Sequence, residues 1–535
     1  MFFKTILKKI SKHKIVLFLI LLNLTLNLIG INFGLPDTWH PDELTHSVTR
    51  MLSEKTLNPG RFTYPSFYHY VLIAANIPYS AFLLLSGKAA MLATDSVLRQ
   101  QTIAIIFLTS RIVTAFFGSI LVFLIYIIAK KVSNERAAII SAAFASLNMA
   151  IITYSHFATS DMPVTVMSML SIYMILRLYE KPIRMNYILT GLAIGLATGT
   201  KYYAVVLVLL LIGAHLLATK KVSINKNLII SGMLCAVGFL ITTPFAILDF
   251  NTFFRDTTLL FTTVQTVQNL YDPVTALSYF FHLDNGLGTP LFILSLIGTA
   301  YCVYLARKNN KLLLLLSWAI GYFLLVSYII HFSFLRYILP VVPIIIIFAG
   351  VFFNYLLSFK RHRIITYFFL FAVLLFNFSY AIKTDMLFVK DSRYSSTEWI
   401  KENIPDNSNI LIFAQNLRYF PDISSEKNVS YLNVTDFSSV ESLREAIKKI
   451  SPDYIIESSL YYNRYLYYTN MYPKRSPLQD LFGYVSHEPV ATDFYRELIN
   501  EKLGYSLIKK FPEEKEDVPD PEFINPTILI FKLNN

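Results

Sequence analysis

Apolar residues fill most of the first 385 positions in runs of 17 to 22, divided by short polar stretches, and give way to a mixed pattern thereafter. At 1.5 Å per residue, each run can cross the roughly 30 Å of hydrocarbon in a bilayer. The runs therefore predict membrane-spanning helices. One stretch, 187–219, would be roughly 50 Å long as a single helix and is basic at both ends, so it predicts a pair of helices turning at Gly199, Thr200 and Lys201. The other predicted spans are 15–33, 103–129, 137–154, 164–179, 228–248, 291–305, 312–330, 338–357 and 364–382. Together they make about eleven crossings.

Basic residues orient these spans. Lys4, Lys8, Lys9, Lys12 and Lys14 precede the first, which puts the N-terminus in the cytoplasm by the positive-inside rule. Later clusters at Lys130 with Lys131 and Arg136, Lys181 with Arg184, Lys220 with Lys221, Arg307 with Lys308, and Lys360 with Arg361 and Arg363 should share that side. An even number of crossings must separate consecutive clusters. The apolar segment 66–86 breaks this parity if it crosses, so it is expected at the outer surface. Its Tyr68, His69, Tyr70, Pro78 and Tyr79 suit an interfacial helix. Eleven crossings leave the C-terminus outside.

The chain has 535 residues, of which 54% are hydrophobic and 15% charged, which excludes an ordinary soluble protein. Its net charge of +12 lies in the clusters between apolar runs, an arrangement that speaks for membrane orientation and against nucleic acid. Cys235 and Cys302 both sit in apolar runs and form no disulfide framework or zinc motif. The first apolar stretch is too long for a signal-peptide core and reads as an uncleaved span.

The expected organisation is a transmembrane domain, 1–383, whose outer loop 35–102 carries surface helices, and a soluble α/β extracytoplasmic domain, 384–535. In the latter, 409–414, 429–434, 453–458, 505–511 and 527–531 read as strands. Ser438 with Glu441 reads as a capping box opening a helix over 440–450. Tyr461, Tyr462, Tyr465, Tyr467, Tyr468 and Tyr472 either stack on a sugar or pack in the core or at the interface, with packing the stronger reading.

Candidate chemistry gathers in two outer loops. The first contains Trp39, His40, Pro41, Asp42, Glu43 and His46. Crowded carboxylates at a bilayer surface suggest proton transfer or binding, while the competing reading is a solvated helix start after Pro41. The second loop holds Asp161 just before Pro163, which is either an N-cap or a second functional acid. Lys201 and Arg336, the latter in the segment from His331 to Pro340, are cations expected at membrane depth on that face, with Arg111 a weaker third. Singly each could snorkel to headgroups; together with the acids they suggest a site for a lipid-embedded phosphate with acid–base chemistry beside it.

The Trp39-His40-Pro41-Asp42-Glu43 segment after the first span resembles the acidic loop motif of GT-C fold glycosyltransferases, particularly the protein O-mannosyltransferase and aminoarabinose transferase group. Arg111 before Lys130-Lys131, the segment around Asp161, Gly199-Thr200-Lys201, and Arg336-Tyr337 before Leu339-Pro340 agree in order over about 350 residues. Trp399 to Pro405 also resembles the exit from the membrane domain in prokaryotic relatives. The resemblance implies a polytopic α-helical, GT-C-like membrane protein that moves a sugar from a polyprenyl-phosphate carrier to an acceptor protein, lipid or glycan. It implies a multi-pass location in the cell membrane, and inversion at the anomeric carbon. By it, Asp42 engages the acceptor as base, Asp161 is the acid of the second loop, and Glu43 is an adjunct. Where relatives often carry a lysine in a surface helix, this chain has Tyr64 to Tyr70 without one, so Arg61, His69, Lys201 or Arg336 with Tyr337 would hold donor phosphate. No cofactor is specified; relatives differ in metal use, and the carboxylates are too few and scattered to argue for a divalent metal. The alternatives are a lipid-linked-sugar transporter or flippase, for which inverted repeats and broken helices would be expected and neither is read here, and a non-catalytic scaffold.

Overall fold

The computed structural model describes residues 2–266, 275–330, 333–414, 417–423, 427–466 and 489–534. The chain forms two compact units, one comprising Met1–Ile31 with Asp42–Ile382 and the other Asn32–Pro41 with Lys383–Asn535.

The first unit is a polytopic helical membrane domain. Among the described residues, eight helices are long and apolar enough to cross a bilayer, or nine if one bent pair counts as a span. Shorter apolar helices at Lys14–Leu28 and Lys226–Thr242, and the helix Arg184–Thr200, occupy the remaining predicted spans. Local sequence starts many of these helices. Asp95, Asn134, Asn148 and Asn225 each accept a hydrogen bond from the backbone N–H three residues on, satisfying a donor that the first turn leaves open.

One predicted span differs. Segment 137–154 is broken into Glu135–Ser146 and Met149–His156, bent by 51°. Asn148 causes the break by capping Ile151 N–H, and its amide also donates to the Gly286 carbonyl at 3.0 Å. The expectation that no helix is broken therefore fails here.

The stretch 187–219 is the predicted pair. Helix Arg184–Thr200 ends at Lys201, whose extended backbone precedes a short 3-10 turn, Tyr202–Val206, and helix Leu207–Thr219. The second helix runs back along the first, since the Tyr187 hydroxyl and His215 Nδ1 are 2.6 Å apart. Gly191, Gly195 and Gly199 recur every fourth residue and let helix Lys226–Thr242 approach closely. A Cβ on Gly191 would lie 2.2 Å from the Ser231 carbonyl oxygen, and one on Gly195 2.5 Å from that of Cys235. This backbone contact anchors the helix whose end carries Lys201.

Two ends of the bundle can be told apart by what gathers there. Lys131 and Lys311 both pair with Glu180, the latter at 2.7 Å. Asp161 opens the 20-residue helix that Glu180 closes, so the two carboxylates are about 30 Å apart along its axis. Arg111 and Lys131 are separated similarly on the long helix Ser96–Val132. Helix Phe67–Leu85 is among the eight that pass the length and hydropathy test. It pairs with the long helix through Tyr68 to Thr114, Asn76 to Ser110 and Tyr79 to Thr102, a course that leads away from Lys131.

The second unit is a small α/β domain. Strands β1 (Asn409–Phe413), β2 (Asn428–Leu432), β3 (Tyr454–Ser458), β4 (Tyr505–Phe511) and β5 (Ile528–Leu533) form one sheet in the order β2-β1-β3-β5-β4. β1 is parallel to β2 and β3, while β5 is antiparallel to β3 and β4. Helices Ser392–Asn403, Val440–Ile450 and Pro489–Ile499 contribute Ile400, Leu443, Phe494 and Tyr495 to the core. The capping box is shifted by one residue from expectation. Ser439, with extended backbone, caps Ser442 N–H, and Ser442 reciprocates, so Ser438 and Glu441 do not form it. Register follows the face that buries Leu443 and Ile447. Tyr461 and Tyr462 are buried in the core, and Tyr465 stacks on Tyr495 at 5.7 Å, in line with packing. Tyr467, Tyr468 and Tyr472 lie outside the described residues.

Candidate active site

Neither first-loop carboxylate sits in a helical first turn, because helix Thr45–Glu54 begins after both and its first turn holds no acid. The solvated helix-start reading therefore fails. The two acids have separate environments. Glu43 is wholly buried and accepts two 2.8 Å bonds from Nε and Nη2 of Arg111, which is also wholly buried. The Ala158 backbone N–H donates a further bond at 3.0 Å, and Arg111 Nη1 donates to the Ile31 carbonyl at 3.1 Å. This knot ties both loops to the long helix and engages Arg111 with protein groups.

Asp42 instead pairs with Arg336, whose Nη1 lies 2.6 Å from Oδ2. About a third of the Asp42 side chain, 34%, stays exposed, compared with 5% for Asp161. Asp161 is the first residue of its helix, but its side chain does not cap. The Lys201 ammonium donates to Oδ1 at 2.6 Å. Thus the N-cap reading also fails, and each of the two acids faces a cation.

Tyrosines join the pairs. The Tyr337 ring centroid is 5.8 Å from Lys201 Nζ and 5.4 Å from the Arg336 guanidinium carbon. Lys201 also lies 5.7 Å from the Tyr64 ring and 5.5 Å from that of Tyr203, within cation–π range of three aromatic faces. Tyr322 fixes Tyr337 by donating to its carbonyl at 2.9 Å. Burial, and then the Asp42 carboxylate, hold the Tyr64 hydroxyl above its ordinary range, so it stays a neutral donor. Tyr64, Tyr203 and Tyr322 escaped sequence reasoning, since nothing in their local pattern separates them from the many tyrosines at membrane boundaries.

The remaining candidates make other contacts. His69 is buried in the first turn of its helix and shares no hydrogen bond or ion pair with these four charged residues. Arg61 is exposed, beside Asp256, where Asp256 Oδ2 accepts from Phe62 N–H. The ring of His46 packs edge-on against Phe107, and that of His40 against Phe523. His331 and Phe332 lie outside the described residues. Among the described residues no three His, Cys, Asp or Glu side chains gather so as to hold a metal ion.

Residues 107–248 match the family model of dolichyl-phosphate-mannose-protein mannosyltransferases. No curated protein sequence matches the chain. Among solved structures, ArnT from Cupriavidus metallidurans bound to undecaprenyl phosphate superposes with a TM-score of 0.50 at 14% identity, over 96% of this chain and 97% of that one. The oligosaccharyltransferase AglB from Archaeoglobus fulgidus, in complex with an inhibitory peptide and a dolichol-phosphate, gives 0.51 at 12% identity, over 86% of this chain and 71% of its own. The chain thus shares the fold of these two solved glycosyltransferases, and its residues 107–248 are similar to the dolichyl-phosphate-mannose-protein mannosyltransferase family.

Proposed function

We propose that this chain transfers a sugar from a polyprenyl-phosphate carrier to a hydroxyl or amine of a protein, lipid or glycan acceptor on the extracytoplasmic face, inverting the anomeric carbon. The observation that carries this reading is the pair of carboxylate–cation contacts, Asp42 with Arg336 and Asp161 with Lys201, around one tyrosine ring. Asp42, the more exposed acid, acts as general base and removes the acceptor proton as the acceptor atom attacks. The carrier phosphate departs from the opposite side, and Lys201 and Arg336 stabilise its growing charge, with Tyr337 between them. Asp161 holds Lys201 in place. Glu43 serves the site by fixing the Asp42 loop through Arg111, and the reading gives no role to His69 or Arg61.

The lipid phosphates named with the ArnT and AglB structures support a carrier-linked donor. Orientation follows from charge. The end marked by Lys131 and Lys311 is basic and on this reading belongs in the cytoplasm, which leaves the opposite end of the membrane domain, with the candidate site, outside.

The test is transfer of radiolabelled sugar from a polyprenyl-phosphate donor by protein reconstituted in liposomes. Asp42→Asn should lower it by about 10²- to 10⁴-fold with unchanged insertion. Full activity in that variant removes Asp42 as base. The broken helix 135–156 favours a transporter; movement of the lipid-linked sugar across the liposome without transfer would establish that reading instead.

A further inference from the structure

A cavity of about 200 Å³ lies within the second unit, walled by Asp37, Trp39, Arg418, Phe420, Asp422 and Tyr431. We propose that it binds one sugar ring of a glycan acceptor; this rests on the transferase reading above and gives its acceptor a chemical class.

The walls have the chemistry a sugar needs. Tyr431, 40% exposed, offers flat apolar surface to the C–H face of a ring, while Trp39 and Phe420 are buried in the wall. Asp37 and Asp422 accept hydrogen bonds from hydroxyls or an amine, and Arg418 donates to ring or hydroxyl oxygens. The volume is smaller than the roughly 300–1,000 Å³ of pockets for drug-sized ligands, and suits a single ring at the end of a longer chain.

The cavity is held ready by a buried cation. The Arg393 guanidinium has no exposed surface and forks onto Asp391 at 2.9 and 2.7 Å. It also donates to the carbonyls of Arg418 and Phe523, both at 2.8 Å, and lies 3.8 Å from the Trp39 ring centre. One side chain thus pins the aromatic wall and the segment carrying Arg418 to Asp422. Gly34 completes the fit, for its φ of +57° bends the chain so tightly under Trp39 that a Cβ there would lie 2.4 Å from the indole. Such rigid support lowers the ordering cost of binding. The two carboxylates are close enough to feel each other, since desolvation and then Asp422 raise the Asp37 pKa, with Arg393 opposing. A hydroxyl-rich or amino-bearing ring would relieve that repulsion by donating to both.

The test uses the full-length protein in detergent and saturation-transfer NMR with a panel of neutral hexoses, pentoses and amino sugars. At least one should bind in the millimolar range, and Asp422→Asn and Tyr431→Ala, both at exposed positions, should each weaken it by about tenfold or more. Asp42→Asn should bind that sugar as wild type does. Absence of binding by every sugar, or binding that both pocket variants leave intact, overturns the proposal. Failure of the two readings can be told apart: transfer that persists unchanged in Asp422→Asn and Tyr431→Ala sinks the sugar pocket alone. Pocket-dependent binding in a protein with no transferase activity sinks the transferase reading and with it the acceptor assignment.

Discussion

The Glu43 carboxylate is forked by the Arg111 guanidinium, and neither side chain has any exposed surface. Its sequence neighbour Asp42 meets Arg336 with about a third of its side chain open to solvent, at 34%. Adjacent acids therefore differ: one ties the two loops to the helices, and the other keeps part of its surface open to solvent.

Removing one partner of the buried pair strands a charge. Arg111→Ala or Glu43→Gln should cost about 3–5 kcal/mol of stability, seen as a large drop in the unfolding temperature of the detergent-solubilised protein. Asp42→Asn should cost about 1 kcal/mol or less. If Glu43→Gln kept full stability while abolishing transfer, Glu43 would belong to the chemistry.

Replacing Lys201 with Met, or Arg336 with Ala, removes a charged donor from the proposed phosphate site, an interaction worth about 1.5–3 kcal/mol. The Michaelis constant for a polyprenyl-phosphate sugar should rise by about 10- to 100-fold. Arg336→Lys should recover only part of this, because the ammonium lacks the guanidinium fork. Unchanged donor kinetics in both variants would remove these cations from the site.

Glu457 is buried in β3, and that burial holds its carboxyl well above the ordinary value of 4.5, with backbone N–H groups of Ser458 and Phe413 opposing. The folded state thus binds this proton more tightly than the unfolded chain does. Its stabilising contribution is fully present below pH 4.5 and is lost as pH rises toward the folded-state value, by up to about 1.4 kcal/mol per pH unit. The thermal midpoint should fall between about pH 5 and pH 8 in wild type, and Glu457→Gln should flatten that slope and raise the midpoint at neutral pH. Parallel profiles for the two proteins would count against a buried neutral Glu457.

Gly195 permits backbone contact at the Cys235 carbonyl, where a Cβ would sit 2.5 Å away. Gly195→Ala should destabilise by about 1–3 kcal/mol through overpacking, and Gly195→Leu by more. Both should lower transfer by displacing Lys201 at the end of the same helix. The check is a melting curve with transfer measured on the same preparation; normal values for the leucine variant would contradict the close crossing.

Membrane sidedness can be read from cysteine labelling, since the native Cys235 and Cys302 are both buried. With an impermeant maleimide on intact cells, Ser53→Cys should label directly and Lys308→Cys only after permeabilisation. Both positions are exposed. The reverse pattern would invert the proposed topology and place the candidate site in the cytoplasm.

Much of the architecture was legible in the sequence because hydrophobic runs and basic clusters respond to the bilayer one segment at a time. The hairpin over 187–219 followed from length and from the basic residues at both ends, and the five strands from local alternation, to within a residue or two at most ends. Purely local signals also had local errors: Ser438 and Ser439 are equivalent as caps until the buried face of their helix selects a register, and Asn148 reads as part of a span until its side chain caps a new helix. The site is a different matter. Asp42, Asp161, Lys201 and Arg336 were visible as charges in costly places, but which acid meets which cation depends on contacts between residues as far apart as 294 positions. The sequence by itself determined that a membrane bundle would carry acids and cations in the loops between its spans. Only tertiary packing decided that Glu43 is sealed by Arg111, that Asp42 stays open, and that Tyr64, Tyr203 and Tyr337 surround Lys201, because burial and ion-pair geometry are properties of the assembled bundle and of no single segment.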